Sequence, residues 1–435
     1  MKEKFGQWRG IWLLLFLFFL IFVLRSYAVQ PVTLKVGLFS GSVWGVPAGD
    51  SYTVADAAIE AFERAHPNVR VKYVSGIQRS DYSEWLAEQV LKGEEPDVFL
   101  ILPDDFALYA SMGALVDLRP WIRTDGEFQP TAYYPAAYSY GQHGAAQMAL
   151  PMESMPVLMF VNKTLLADEG IPMPDSDWTW QDFLAICRQV TRDRDGDGVL
   201  DQFGCYDLSW QQAAMTNGVV QLFREDGRSS YFASPRMEET VRFMMELHAL
   251  EGGREVTAKD FDMGHVAFRP FTFAEYRTYK PYPWRIKKYS GFEWDCIKLP
   301  AGPSGNNQTF LGTLLAGISA RTRHRDLAWE FLKTLCYDKG VQQLIVQKSQ
   351  GLPARKDILD SEESGRVFRQ DAGGEQMNLQ VVSEVMAEAV EQPRFERQDV
   401  MLFADAELRK IINGTVPYNN ALNKLQKEVN AYLQY

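Results

Sequence analysis

From residue 193 to residue 201 the chain reads Asp193-Arg194-Asp195-Gly196-Asp197-Gly198-Val199-Leu200-Asp201, four carboxylates at alternating positions around two glycines. That is the spacing with which a loop wraps a hard cation in oxygen. Calcium takes roughly six to eight oxygen ligands at about 2.3 to 2.6 Å, and the first, third and fifth positions of a twelve-residue loop supply carboxylates. Gly198 falls where such a loop turns sharply, Val199 where a backbone carbonyl coordinates, and Asp201 at the ninth position. The twelfth position, where a bidentate Glu closes the shell, is Gly204. The expected ligand set for Ca2+ is therefore Asp193, Asp195, Asp197, Val199 and Asp201, with water completing it. The other reading is a solvated Asp-Gly turn.

The chain around this loop has 435 residues, long for one core and enough for two or three domains. Residues 1–28 read as a signal peptide or membrane anchor: Lys2, Lys4 and Arg9 precede an apolar run from Ile11 to Leu24, followed by Ser26-Tyr27-Ala28. As a helix that run spans about 21 Å at 1.5 Å per residue, against a hydrocarbon core of about 30 Å, which favours cleavage over anchoring. The protein is expected to be exported, to the extracellular face of the membrane or the periplasm. Its formal charge is −11, and losing the leader, with four basic residues and one acidic, leaves a chain near −14. Such a chain is not expected to bind nucleic acid, because phosphate contacts need clustered Lys and Arg. The one dense basic stretch, Arg321-Thr322-Arg323-His324-Arg325, leads into a helical pattern and reads as a solvated turn. The four cysteines, Cys187, Cys205, Cys296 and Cys336, lack Cys-x-x-Cys spacing, which argues against a zinc knuckle or redox motif. Cys187 and Cys205 flank the Asp loop and are either a pair across it or free buried thiols.

Strand and helix patterns alternate after the leader. Thr33 to Phe39 is β-branched and apolar, Ser51 to Ala65 has helical spacing, Val69 to Val74 alternates, and a helix carrying Tyr82, Trp85, Leu86 and Val90 precedes the apolar run Pro96 to Leu102. Strands separated by helices imply βαβ units and a sheet covered on both faces. Ligands of such sheets bind beyond the carboxyl ends of the strands. Ser40 to Trp44, Ser75 to Gln78 and Pro103-Asp104-Asp105 should therefore share one edge. The stretch Ala149 to Lys163 reads as a strand crossing from one lobe into another. Helices are predicted near Thr179 to Arg192, Trp210 to Phe223 and Pro235 to Leu250; a strand over Phe310 to Ser319, a helix over His324 to Leu335 and three more helical patterns after Gln376 follow.

Four blocks in this order resemble the sugar-binding family of extracellular solute-binding proteins that serve ABC transporters, the group that includes maltose-binding protein. They are PDVFLILPDDFALYASMGALVDL from Pro96, ALPMESMPVLMFVNKTLL from Ala149, RDRDGDGVLDQFG from Arg192 and GTLLAGISARTRHRDLAWEFLKTL from Gly312. The resemblance covers most of residues 33–435. It implies an α/β, two-lobed fold of the periplasmic-binding-protein type II, each lobe a mixed, mainly parallel sheet flanked by helices, with the ligand cleft at the hinge. Lobe 1 is expected over 31–150 plus 310–355, and lobe 2 over 151–309 plus 356–435. It also implies a carbohydrate ligand, ABC transporter permease subunits as partners, a monomer, no chemistry, and a structural role for any calcium held by the Asp loop.

Sugar recognition needs flat apolar faces for the C–H side of a pyranose and planar carboxylates or amides for its hydroxyls, and the chain has 11 Trp, 19 Tyr and 26 Phe. By position in the family pattern, Asp104 is the hydroxyl-binding carboxylate after the third strand and Phe273 the stacking aromatic. Trp44, after the first strand, is a further stacking candidate by topology. Met155 stands where maltose-binding protein has a ligand-contacting carboxylate, and Glu153, two residues away on the same face of a strand, is placed to compensate. Phe395, Arg397 and Phe403 fall where the family carries an aromatic or Arg facing the cleft. The competing readings are helix capping for Asp104 and core packing for the aromatics.

Two other functions use the same residues. An exported glycan-acting enzyme needs two carboxylates about 5 to 9.5 Å apart, and Asp104 with Glu153 is the pair to name. No Gly-x-Ser-x-Gly, His-Glu-x-x-His, P-loop or Gly-x-Gly-x-x-Gly motif is present, and the five histidines are not paired at metal spacing. A membrane-tethered sensing protein would keep the fold and site and change only the partner. No cysteine precedes Cys187, so a tether would use the uncleaved leader rather than a lipid.

Overall fold

The computed structural model describes residues 31–46, 52–219, 221–224, 227–278, 292–371, 378–391 and 398–434. The leader, Phe395 and Arg397 lie outside the described residues. The first three apolar runs form β1 (Val32–Gly37), β2 (Val69–Tyr73) and β3 (Val98–Ile101), with helices Thr53–Ala65 and Arg79–Lys92 between them. Both β2 and β3 pair parallel to β1, at Val32↔Val69 and Val36↔Val98. The carboxyl ends of all three therefore share one edge, as the βαβ pattern requires. Ser40 ties two of those ends together: its N–H donates to the Ile77 carbonyl at 2.7 Å and its carbonyl accepts from the Arg79 N–H at 2.9 Å.

After the small hairpin β4 (Gln142–His143) and β5 (Ala146–Gln147) comes β6, Ala149–Asn162, the longest strand, buried at every position but Val157. A strand buried on both faces must have cover on both, and β6 has it because helices, Phe273–Thr278 and Arg325–Tyr337 among them, pack on it. Ala149 to Pro156 pairs antiparallel with β10 (Phe310–Ile318), and Val157 to Asn162 pairs antiparallel with β8 (Val266–Thr272) and β9 (Trp294–Ile297). β7 (Phe203–Cys205) lies parallel beyond β8, and β10 closes onto β3, giving the order β2-β1-β3-β10-β6-β8-β7. β11 (Leu352–Pro353) pairs with β6 and β12 (Val390–Glu391) with β10. The sheet is mixed, and the two lobes meet where β6 and β10 run side by side.

Alternation along β6 shows how the halves share a core. Met159 and Val161 pack with Phe183, Phe268 and the helices of the second lobe. Leu158 and Phe160 face the other way, into a cluster continuous with the first lobe. The helix Trp180–Val190 packs Trp180, Phe183, Leu184 and Cys187 inward and starts at a capping box, Thr179 with Asp182, worth about 1 kcal/mol. The predicted Trp210 to Phe223 helix stops earlier, at Thr216. Gly218 takes φ +74°, a left-handed turn that ends helices. No described helix is long and apolar enough to cross a membrane.

Candidate functional site

A cavity of about 660 Å³, partly open to solvent, lies where the carboxyl end of β1 meets the crossing strands; Phe39, Val43, Trp44, Tyr52, Met152, Glu153, Leu314 and Ser349 are among the residues lining it. Each wall follows from a local rule. Trp44 ends a turn whose N–H donates to Ser42 Oγ at 3.1 Å. Tyr52 precedes the helix Thr53–Ala65 and its hydroxyl accepts from the Gly76 N–H at 2.8 Å, anchoring the loop after β2 beside the cavity. Glu153 comes from β6, its backbone paired with Leu314 on one side and Pro353 on the other.

Glu153 is the one carboxylate among the described residues that line this cavity. It is only 6% exposed. Burial pushes its carboxyl up from the ordinary 4.5 to about 7, against the opposing pull of the Ser349 hydroxyl, the Trp44 indole and the Arg277 guanidinium. Ser349 donates to Glu153 Oε2. Trp44 Nε1 is buried and makes no hydrogen bond of normal geometry, yet lies close enough to the carboxylate to favour its ionised form. An indole N–H and a carboxylate side by side, one without a partner, form a donor and an acceptor facing apolar walls. This is the equipment for a hydroxylated ring.

Two glycines make room for that pair. A Cβ on Gly351 would stand 2.6 Å from Trp44 Nε1 and 2.7 Å from Glu153 Oε2, and one on Gly312 would stand 3.3 Å from the Trp44 ring. The indole thus lies over Gly312 of β10 and Gly351, the residue before β11. Of the residues the sequence named, the structure brings Trp44 and Glu153 to this cavity; Ser349 and Gly351 beside them were not named. The signal available was the Ser-Gln-Gly stretch directly after an amphipathic helix, which reads equally well as an ordinary helix terminus.

The other expected residues are placed differently. Met155 is buried, and its Sδ accepts from the Ala274 N–H at 3.1 Å, so it joins β6 to the helix Phe273–Thr278 and does not line the cavity. Phe273 is fully buried, with Phe368 edge-on at 5.5 Å, and presents no face to a ligand; core packing describes it. Asp104 is exposed at the carboxyl end of β3. It does not cap the next helix, whose N-cap is Asp105 with no side-chain capping bond, and it does not share the cavity with Glu153. Asp105 instead accepts from the Ser83 hydroxyl at 2.6 Å. Phe403 packs on Tyr432 at 4.8 Å within the second lobe.

In the Asp loop, the side-chain oxygens of Asp193, Asp195 and Asp197 lie within 4.8 Å of one another. Asp193 accepts from the Gly196 and Gly198 N–H groups at 2.7 Å each, and the Gly198 bond is the main reason its carboxyl is held below the usual range. Gly196 and Gly198 take φ +79° and +89°, which only glycine adopts at no cost. Asp201 is turned to the Arg194 N–H at 2.9 Å. Three converging carboxylates fit a hard divalent cation. The absent closing Glu has a packing reason: at Gly204 a Cβ would stand 2.4 Å from the Cβ of Cys187. All four cysteines are buried free thiols, which settles the open choice for Cys187 and Cys205. The loop is braced by Arg254, which donates to the Leu200 carbonyl, and contributes nothing to the cavity at Trp44.

With this geometry in place, comparison with known proteins adds the following. The family model of the bacterial extracellular solute-binding proteins matches residues 48–340. An uncharacterized lipoprotein of Streptomyces antibioticus is 23% identical over 338 residues, 72% of this chain and 69% of that one. Among solved structures, the cyclic alpha-maltosyl-1,6-maltose binding protein of Arthrobacter globiformis superposes with a TM-score of 0.74 at 18% identity, covering 93% of this chain and 99% of that one. The sugar-binding protein MalE of Xanthomonas citri gives 0.73 at 16%, covering 93% and 98%. An ABC substrate-binding protein of Listeria monocytogenes in complex with cycloalternan gives 0.68 at 20%, covering 93% and 99%.

Proposed function

This chain belongs to the bacterial extracellular solute-binding proteins, and we propose that its solute is a sugar or oligosaccharide, held in the Trp44–Glu153 cavity by lobe closure and passed unaltered to the permease subunits of an ABC transporter. The observation that carries the reading is the buried Glu153 carboxylate beside the Trp44 indole in an apolar-walled cavity at the lobe junction. A ligand hydroxyl donates to the carboxylate while the ring it belongs to lies on the apolar walls. Support from likeness comes from neighbours of the same fold whose names record sugars. The exposed Asp104, on the edge shared by the strand ends, is the carboxylate that a longer sugar would reach next.

Binding is favoured over glycan cleavage by the same geometry. Hydrolysis takes two carboxylates flanking one bond, and Glu153 is alone among the described lining residues. For the Asp loop we propose a structural calcium, held by Asp193, Asp195 and Asp197 with the Val199 carbonyl and, after turning from Arg194, Asp201. Export, with the leader cleaved or kept as a membrane anchor, belongs to the same proposal. Calorimetric titration against a panel of mono- and oligosaccharides, with chromatography of the recovered sugar, tests the reading. Saturable binding with the sugar returned intact is expected, whereas a shortened product would replace transport with catalysis.

A further inference from the structure

The segment that follows the helix Lys339–Lys348 does more than close the cavity. Ser349 sits at its start with each polar group engaged. The Gly351 N–H donates to Ser349 Oγ at 3.2 Å, and the Ser349 hydroxyl in turn donates to Glu153 Oε2. The Ser349 carbonyl accepts from Arg277 Nη1 at 2.7 Å, while Arg277 Nη2 donates to the Val346 carbonyl at 2.7 Å. A backbone donor behind the oxygen leaves the serine proton one direction to point, at the carboxylate. Among the described residues Ser349 is the one donor of normal angular geometry that reaches the Glu153 side chain.

We propose that Ser349 is a positioning residue, holding the Glu153 carboxylate in its charged form as the acceptor that ligand hydroxyls meet in the cavity. The role ascribed to Glu153 rests on the sugar-binding reading above. The placement of the carboxylate by Ser349 does not.

Among the described residues, the charged and titratable groups that face Glu153 are few. From the helix Phe273–Thr278 comes Arg277, its guanidinium directed at two carbonyls and over the Phe368 ring at 5.2 Å. From the helix Lys339–Lys348 comes Lys348, exposed at the cavity rim, and from the turn before Thr53 comes the Tyr52 phenol. The strand β6 itself carries no other ionisable side chain. Arg277 favours the charged carboxylate through space, and its hydrogen bonds go elsewhere. The serine hydroxyl is therefore the group whose removal changes the carboxylate most directly, since a hydrogen bond to a charged acceptor stabilises the charged form.

The test needs no ligand. In the purified full chain with carbon-13 in the glutamate side-chain carboxyls, the Glu153 resonance is identified by its loss in Glu153→Gln and followed against pH. The midpoint in the unaltered chain is expected near 7. Ser349→Ala should raise it by about one pH unit, and Ser349→Thr, which keeps a hydroxyl, should restore it. Thermal melting of each variant shows that it is folded; if the alanine variant is not, Ser349→Cys, a weaker donor, should move the midpoint the same way by less. An unmoved midpoint in a folded Ser349→Ala or Ser349→Cys chain overturns the proposal, as does a threonine that fails to restore it. No sugar enters the measurement, so its failure leaves the sugar reading intact, and a glycan panel without a binder would sink that reading alone.

Discussion

Glu153 concentrates the physical cost of the site in one side chain. Its carboxyl stands at about 7 in the fold against an ordinary 4.5, raised by burial. Below pH 4.5 folded and unfolded chains are both protonated there and the residue costs nothing. As pH rises the unfolded chain ionises first, so stability falls until the folded form ionises too, near 7, at a total cost on the order of 3 kcal/mol at most. Glu153→Gln should therefore raise the melting temperature at pH 8 and change it little at pH 4. A melting series across that window that gives equal effects at both ends would show that Glu153 is not buried as described. Gly351 is the companion case. A methyl group there meets Trp44 Nε1 at 2.6 Å and Glu153 Oε2 at 2.7 Å, and overpacking of this kind costs about 1 to 3 kcal/mol. Gly351→Ala is predicted to weaken sugar binding about tenfold or more, at 1.4 kcal/mol per tenfold, and to alter the Trp44 contribution to intrinsic fluorescence. Unchanged titrations would separate Gly351 from the ligand.

At the scale of elements, the first three strands were legible because parallel βαβ units leave strong periodic traces: the runs at Val32, Val69 and Val98 pair as the alternation implied, whereas β7, β8 and β9 of the second half were not read as strands. The crossing strand was legible at Ala149 because a long apolar run with polar residues only at its centre suits a strand covered on both faces. Side-chain direction was less so. Met155 sits on the strand that the sequence placed at Ala149 to Lys163, and Phe273 starts a helix that the sequence did not predict; both turn into the junction between β6 and the helix Phe273–Thr278, because apolar positions at a lobe junction have two cores competing for them. Ser349 and Gly351 carry no pattern at all; their role comes from partners about 196 residues away in sequence. In the Asp loop the convergence of Asp193, Asp195 and Asp197 was legible; Asp201 turns to the Arg194 N–H instead, and at the twelfth position packing on Cys187 decides the residue. Gly204→Ala should lower the urea midpoint by an amount equivalent to about 1 to 3 kcal/mol, the clash being with backbone-proximal atoms that have no rotamer to give. Chelation should lower the melting temperature, readdition of calcium should restore it, and sugar affinity at subsaturating temperature should stay within twofold, roughly what a site remote from the cavity allows. An EDTA-treated chain that melts unchanged would make the loop a bare turn.

The whole molecule is built so that its two halves share strands rather than a linker. β6 and β10 carry the connection through the sheet, and a side chain adds a tie across it: Arg277 holds the end of the helix Lys339–Lys348. The lobe closure proposed above would run through bending of these shared strands, the hinge motion of clamp-like binding proteins. Its radius of gyration in solution scattering should fall when sugar is added, and stay constant with a sugar that does not bind. The central claim, that a sugar is held between the Trp44 indole and the Glu153 carboxylate, is tested most directly by paired calorimetric titration of the unaltered chain and Trp44→Ala with the sugar the panel selects. The account predicts a loss of affinity of about a hundredfold, equivalent to about 2.7 kcal/mol for an aromatic stacking partner and its donor together, with melting temperature little changed because Trp44 is only partly buried. Equal affinity in the two chains would contradict it and place the ligand elsewhere.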